Sequence, residues 1–525
     1  MKTFFKITVV YLLLLTIVSC TEKQAGNLLP RSTPEAEGVS SQAILTFLDS
    51  AAVNAETEFH SFMFIRHGKV IAEGWWNPFA PELKHTLYST SKSFTSTVIG
   101  LAISENKLSL DDKLISFFPE YLPDTISENL SNVKIRDMLS MSVGQRRESS
   151  STGAEWIRTF LETPVESEPG TTFRYSSMAS YMLSAIVQKV TGEKVIDYLT
   201  PRLFTPLGID YADWETSPEG INTGGWGLRL KTEDAAKLGL LYLQEGKWNG
   251  KQILPASWVK DATSVKIYQN PNLTEEQRKS ASDSMQGYCY QFWRIRNNSY
   301  TALGAFGQFI IVMPEKDAVI VLTSESNNMW GGLDMVWKYL YPGINDKPLP
   351  ADENKSDELK NRLASLSLPV PEKNSNEAIS SLISGKTIAF AENQDQIQSM
   401  SLQFNDDLCL LNMKIDATEY ALTFAAGNWQ FGETKLHGPN LFASSANSQT
   451  GLPPFKIAGA YTWNGDQLEL NLRYIDCVHS QKYVFRFGDN NKVLVDIISG
   501  NLPSFMQPSP DMRRLFTATI EGTIN

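Results

Sequence analysis

Histidine is scarce in this 525-residue chain and badly placed for one common kind of catalysis. His60, His67, His85, His437 and His479 make up the full set, and none lies between residues 86 and 436. No G-x-S-x-G elbow occurs, so a serine–histidine–acid triad finds no support. Cysteine is nearly as rare. Cys20, Cys289, Cys409 and Cys477 have no metal-ligand spacing, and the isolated His437 and His479 do not supply one. Blocks of lysine and arginine are also missing. With 47 basic against 58 acidic residues the net charge is −11, which argues against nucleic acid as a partner. No apolar run reaches the roughly 20 residues that span a bilayer. Internal repeats and low-complexity tracts are absent. What is present is ample apolar content, 42% of residues, in a chain too long for one ordinary domain.

The N-terminus has the features of a targeting segment. Lys2 and Lys6 precede the apolar stretch Ile7 to Val18, which has the length of a signal-peptide core. At its end, Ile17-Val18-Ser19-Cys20 resembles a bacterial lipobox. That resemblance implies removal of residues 1–19 and lipidation of Cys20. The expectation is a protein of the bacterial envelope, periplasmic or at the outer surface, held to the membrane by lipid. The alternative is an ordinary signal peptide with a chance cysteine. In an oxidising compartment Cys409 and Cys477 could pair. Both could equally be buried apolar residues, the commoner fate of so few cysteines.

The chemistry concentrates at Tyr88-Ser89-Thr90-Ser91-Lys92. Ser89 and Lys92 stand three residues apart where the chain enters a helix, so both fall on one face. A serine hydroxyl needs a neighbouring base, and a lysine buried in apolar surroundings can be one. The S-x-x-K spacing recurs at Ser104/Lys107, Ser131/Lys134 and Ser257/Lys260, so spacing alone decides little. The apolar stretch Val98, Ile99, Leu101 and Ala102, with the small Gly100 in it, singles out the first as the start of a buried central helix. The competing reading makes Ser89 a helix N-cap.

The segment "LYSTSKSFTSTVIGLAISENKLSLDDKLISFFPE" resembles the nucleophile region of the serine β-lactamase-related hydrolases. That family includes class C β-lactamases, penicillin-binding proteins, family VIII esterases and aminohexanoate-oligomer hydrolases. The similarity continues through "VKIRDMLSMSVG", "EPGTTFRYSSMASYMLSAIVQKVTG" and "GAFGQFIIVMPEKDAVIVLTS" in the family's order, over residues 28–343. It implies an α/β (α+β) domain with an antiparallel sheet flanked by terminal helices, plus a helical subdomain. It makes Tyr175 the residue that shuttles the proton with Lys92, and Ser177 the supporting polar group. It places Ala302-Leu303-Gly304 on the strand lining the site, where relatives carry K-T-G or a variant. The cation and hydroxyl of that motif are missing here, which argues against efficient β-lactamase or D,D-peptidase action. The backbone amides of Ser89 and Ala305 would form the oxyanion hole, with Gly304 and Gly307 admitting substrate close to the chain. No metal or organic cofactor is required.

Along the chain, residues 20–35 read as a tether and 36–343 as the hydrolase domain. A hairpin turns at His67-Gly68, helices occupy 134–142, 176–192 and 232–245, two strands fill 303–323, and a helix closes at 330–340. Residues 344–378, rich in Pro, Asn and charge, read as a linker with one helical piece at 357–366. Residues 379–525 read as an all-β barrel or sandwich, from alternating segments at 397–404, 408–415, 420–424, 468–474 and 483–487. Loops at 145–160, 208–226 and 264–287 are the candidate pocket walls, with Trp156, Trp214 and Trp226 as candidate lining or as packing. The functional expectation is a serine hydrolase of a small-molecule or peptide-like ester or amide. The alternatives are a penicillin-interacting enzyme and a catalytically silent envelope-binding protein.

Overall fold

The computed structural model describes residues 28–151, 153–393, 395–441, 451–500 and 517–525. Cys20 and the lipobox lie outside them. The elements that position the site are helix α1 (Ser41–Ala52), strands β1 (Thr57–Arg66) and β2 (Lys69–Trp75), and helices α2 (Ser91–Ser104) and α3 (Ser177–Thr191). They continue with β3 (Leu228–Leu230), α4 (Thr232–Leu243), β4 (Trp293–Ile295), β5 (Ser299–Gly304), β6 (Gln308–Met313) and β7 (Ala318–Ser326).

Six of these strands form an antiparallel sheet in the order β2-β1-β7-β6-β5-β4. The first and last strands of the domain are therefore neighbours, with Phe62 opposite Leu322 and Phe64 opposite Ile320. Strand side chains alternate between faces, and here both faces are buried. Met63, Ile65, Ile310, Val312, Val319 and Val321 enter one core. Phe62, Phe64, Phe309, Ile311, Ile320 and Leu322 enter the other, against α1 and the helical segment 331–340. Helix α4 covers the first face, where a Cβ on Gly239 would stand 2.7 Å from both Ile310 and Val319. The β1–β2 hairpin turns at His67 and Gly68, both with positive φ, the conformation that matches strand twist in a two-residue turn. Between α2 and β3 lies the helical subdomain, which includes α3 and the short helices Ile135–Leu139, Trp156–Glu162 and Val195–Leu199.

Two strands meet differently from the sequence expectation. The chain is not continuous from residue 303 into β6. β5 ends at Gly304, and Phe306 and Gly307 turn with φ of 64° and 86° before β6 starts at Gln308. The stretch expected as a tether is docked from residue 29 onward. Leu29 is buried, Ser32 N–H donates to the Val70 carbonyl, and Arg31 pairs with Glu73 and Glu233. The expected linker is docked too. Its helix spans Glu353–Ala364, and Leu359, Leu366 and Leu368 bury themselves against the second core. A Cβ on Gly74 would meet Leu366 at 2.6 Å, so this glycine admits the packing.

The C-terminal strands are β8 (Thr387–Phe390), β9 (Ile397–Asn405), β10 (Leu408–Ile415), β11 (Thr418–Ala426), β12 (Gln430–Thr434), β13 (Phe455–Asn464), β14 (Gln467–Tyr474), β15 (Ser480–Phe487), β16 (Lys492–Ser499) and β17 (Thr517–Ile524). Nine close into a barrel in the order β11-β10-β9-β8-β17-β16-β15-β14-β13, sealed by a short parallel pairing of β11 with β13. β12 adds to β13. The five strands expected from alternation are all present. On β14, for instance, Leu468, Leu470, Leu472 and Tyr474 point inward and the residues between them do not. Cys289, Cys409 and Cys477 are free and buried. The Cys409–Cys477 pairing therefore does not form. Cys409 packs inside the barrel on β10, while Cys477 meets the Thr86 hydroxyl at 3.5 Å.

The barrel is anchored to the hydrolase domain by buried charge. Arg229 on β3 is fully buried and donates to Asp213 and, at 3.1 Å, to Asp476 in the loop after β14. Asp213 also pairs with Lys84, whereas among the described residues Asp476 has Arg229 as its ion-pair partner. Replacing one member of a buried pair leaves the other charge uncompensated. Arg229→Met should therefore lower the unfolding free energy by about 3 kcal/mol, read from the urea midpoint. An unchanged midpoint would mean that this contact carries no stability.

Candidate active site

Ser89 sits in a 3₁₀ turn, Tyr88–Thr90, that runs directly into α2. The N-cap of α2 is Thr90, so Ser89 is not the cap. A 3₁₀ turn has three residues, which eclipses positions i and i+3. The Lys92 amine accordingly lies 3.0 Å from the Ser89 hydroxyl. Ser89 remains half-exposed while Lys92 is 1% exposed. The other three S-x-x-K pairs do not form. The Ser104 and Ser131 hydroxyls donate to local carbonyls, and Lys134 pairs with Asp111. For Ser257 and Lys260 no mutual hydrogen bond is found among the described residues.

The turn is wedged between strands. Leu87 N–H donates to the Leu228 carbonyl, and Leu228 N–H donates to the Ser91 hydroxyl. On the opposite side the Thr90 hydroxyl donates to the Gln308 carbonyl at 3.0 Å. A Cβ on Gly304 would stand 2.2 Å from the Leu87 carbonyl oxygen. Gly304 is thus the point where the end of β5 presses on the turn that carries Ser89, rather than a strand irregularity. Ala302 lies deeper, 1% exposed in the core, and Gly307 turns against Ser324. Ala305 follows Gly304 directly and is buried beside Tyr88 and Phe306. Within α2 a Cβ on Gly100 would meet the Trp258 ring at 2.5 Å, which explains the small residue in a buried helix.

Lys92 touches two further groups. Its amine lies 3.0 Å from the Ser177 hydroxyl and 2.7 Å from the Gly225 carbonyl. Ser177 opens α3, and Gly225 can approach because a Cβ there would meet the Ser177 carbonyl at 2.6 Å. Tyr175 completes the cluster. The Lys92 amine lies 4.8 Å from its ring centre, and the Ser89 side chain is near enough to oppose the rise of its phenol. The Tyr175 ring stacks on Trp293 at 5.7 Å. Three side chains separated by up to 86 positions therefore converge on one point.

Burial sets the protonation states. It lowers the Lys92 amine from its ordinary 10.5 to about 7, against the opposing pull of Glu148. It pushes the Tyr175 phenol above its ordinary range, against the opposing effect of the Ser89 side chain. An amine near 7 can take a proton at neutral pH, and a protonated phenol can give one. Glu148 escaped the sequence reading, although it lies in the expected 145–160 loop. It accepts from Met178 N–H at 2.8 Å at the start of α3. It stays open to solvent on one side, and the surrounding protein still pushes its carboxyl up. The Gly225 carbonyl, from the 208–226 loop, escaped as well, since a backbone oxygen leaves no mark in a sequence. Trp156, Trp214 and Trp226 are packing residues, at 3%, 3% and 1% exposure, and Trp214 Nε1 donates to the Trp226 carbonyl.

Among the described residues no cluster of three or more His, Cys, Asp or Glu could hold a metal ion. No helix among them is long and apolar enough to cross a membrane.

The chain is 26% identical to the 6-aminohexanoate-dimer hydrolase of Paenarthrobacter ureafaciens over 344 residues, 59% of this chain and 86% of that protein. It is 21% identical to protein flp of Staphylococcus aureus strain N315 over 306 residues, 51% of this chain and 59% of that one. Among solved structures it is similar to the octameric penicillin-binding protein homologue from Pyrococcus abyssi, at 17% identity and a TM-score of 0.45, covering 91% of this chain and 98% of that chain. The profile of the family described as Beta-lactamase matches residues 58–334, just over half of the sequence and the span that holds Ser89, Lys92 and Tyr175. The chain belongs to the Beta-lactamase family, the β-lactamase/transpeptidase-like serine hydrolases.

Proposed function

We propose that the protein hydrolyses an ester or amide through an acyl-enzyme on Ser89. Lys92 takes the Ser89 proton as the hydroxyl oxygen attacks the substrate carbonyl. The oxyanion rests on the backbone N–H groups of Ser89 and Ala305, each such donor contributing about 3 kcal/mol to the transition state. Tyr175 delivers a proton to the leaving group. Water, deprotonated by the same pair, then attacks the acyl carbon and releases Ser89. The observation that carries this reading is the 3.0 Å approach of a half-exposed hydroxyl to an amine lowered to about 7. The relative named as a 6-aminohexanoate-dimer hydrolase supports a hydrolase of this type. The bare Ala302-Leu303-Gly304 strand end, without cation or hydroxyl, weighs against β-lactams as the preferred substrate.

Incubation with a fluorophosphonate, followed by peptide mass mapping, tests the nucleophile. The adduct is expected on Ser89; an adduct elsewhere, with Ser89 unmodified, overturns the reading. A parallel screen of p-nitrophenyl esters, D-amino-acid amides and nitrocefin should place turnover with the first two classes. Tyr175→Phe keeps the ring on Trp293 and removes only the proton donor. Its kcat should fall about 100-fold with KM little changed, measured on the best substrate of the screen. The same proposal keeps Cys20 as the lipid-bearing residue of an envelope protein. A lipid-modified Cys20 at the N-terminus of the membrane fraction, seen by mass spectrometry, is the expected result.

A further inference from the structure

One contact crosses from the barrel to the nucleophile turn. His479 stands in the loop between β14 and β15 and is 1% exposed. Its Nε2 lies 2.6 Å from the Tyr88 hydroxyl, and Tyr88 immediately precedes Ser89. Its Nδ1 lies 3.1 Å from Glu325 Oε1 near the end of β7, and the other Glu325 oxygen accepts from the Ser480 hydroxyl at 2.9 Å. Burial pushes the Tyr88 phenol well above its ordinary range, so it stays protonated and donates. An imidazole whose Nδ1–H points at a carboxylate presents Nε2 as an acceptor. Glu325, His479 and Tyr88 thus form one directed chain of hydrogen bonds.

The same ring packs edge-on against Phe306 at 4.6 Å, and Phe306 immediately follows Ala305. Tyr88 and Phe306 are themselves 5.3 Å apart. Both adopt positive φ, 45° and 64°, in a region where residues with side chains are uncommon. Such conformations persist when the surroundings over-determine them. Tyr88 shares a peptide unit with the Ser89 N–H, and Phe306 anchors the C-terminal side of Ala305, whose own N–H belongs to the Gly304–Ala305 peptide. The loop carrying His479 is fixed at its other end by Asp476 on Arg229 and by Cys477 against Thr86.

We propose that His479 of the C-terminal barrel is a positioning residue for the hydrolase site, holding Tyr88 and Phe306 so that the amides of Ser89 and Ala305 face one oxyanion. This inference rests on the acyl-enzyme reading above, and it gives the barrel a part in catalysis without contact with substrate.

The test uses the full chain with His479→Ala, His479→Gln, Tyr88→Phe and the double variant His479→Ala/Tyr88→Phe. The readouts are kcat and KM on the best p-nitrophenyl ester, the rate of fluorophosphonate labelling at Ser89, and the unfolding midpoint. A misplacement of about 1 Å costs about 100-fold in rate. His479→Ala and Tyr88→Phe should each lower kcat and the labelling rate by roughly 10- to 100-fold, with KM within about threefold. The double variant should be no slower than the slower single variant, because the contact that Tyr88→Phe removes is already lost in His479→Ala. His479→Gln, whose amide can still meet the phenol, should regain more than half of the logarithmic loss. Tyr88→Phe changes one buried oxygen and keeps the ring, so it reports even where His479→Ala folds poorly. Single variants within threefold of wild type in kcat, or losses that multiply in the double variant, overturn the proposal. Ser89→Ala separates the two readings. Persistent labelling in that variant defeats the acyl-enzyme reading itself, whereas labelling lost there but intact in Tyr88→Phe defeats only the positioning role.

Discussion

Ser89→Ala is expected to lower kcat/KM on p-nitrophenyl esters by roughly 10⁴-fold or more, with the fold intact. The loss is large because the cluster has a single atom that can form the acyl bond. Ser177 offers another hydroxyl near Lys92, but it is 7% exposed and fixed at the start of α3. Thr90 and Ser91 are also close, yet their hydroxyls donate to the Gln308 and Tyr88 carbonyls and are fully buried. None of the three can replace Ser89 without moving its element. The structural effect should be small, since Ser89 is half-exposed and its oxygen bonds only within the cluster. The unfolding free energy should change by no more than about 1 kcal/mol. Residual turnover within tenfold of wild type would move the nucleophile elsewhere and leave the convergence of Lys92 and Tyr175 unexplained.

The parts of this site that were legible in the sequence are the local ones. Ser89 and Lys92 are three residues apart, and the apolar run behind them marks a buried helix wherever it occurs. Tyr175 and Ser177 became legible through family resemblance, since a tyrosine before a helix has no chemical signature of its own. Glu148 lay in a polar loop, "QRRESSS", read only as a candidate pocket wall with no residue singled out, and its effect comes from accepting the Met178 N–H and from its charge acting on Lys92 across the fold. The Gly225 carbonyl and the turn at Phe306 are backbone features. His479 is 391 positions from the tyrosine it holds, and its environment is made by two domains together. In the barrel, β14 was legible because polar and apolar residues alternate on it. β12 and β17, "QFGET" and "TATIEGTI", carry weaker patterns; β17 is a strand because it closes the ring between β8 and β16, and β12 because it adds to the edge of β13.

Lys92→Met should lower kcat by about 10³- to 10⁴-fold, and the wild-type pH profile should show why. The amine has three neighbours: the Gly225 carbonyl, which can only accept, and the Ser177 and Ser89 hydroxyls, which can do either. As an ammonium it donates to all three. As a neutral amine it donates to Gly225 and Ser177 and turns its lone pair to the Ser89 proton. Both states are fully bonded, so the proton can arrive and leave without rearrangement. The neutral state is the base, and with the folded pKa brought from 10.5 to about 7 it is half-populated there. kcat/KM should therefore rise about tenfold per pH unit below 7 and level off above it. An inflection above pH 9 would show that Lys92 is charged at neutrality and that another group takes the proton. Lys92→Met should lose the inflection near 7 altogether. Stability carries the same signature. Between pH 7 and 10.5 the unfolded chain binds a proton at Lys92 that the folded chain releases, so the folded state gains as pH rises through that window. In the methionine variant that gain disappears, and the urea midpoint of the wild type should rise steadily relative to that of the variant from pH 7 to pH 10. A difference independent of pH would mean that the Lys92 amine keeps its ordinary basicity inside the protein, and the base would have to be sought elsewhere.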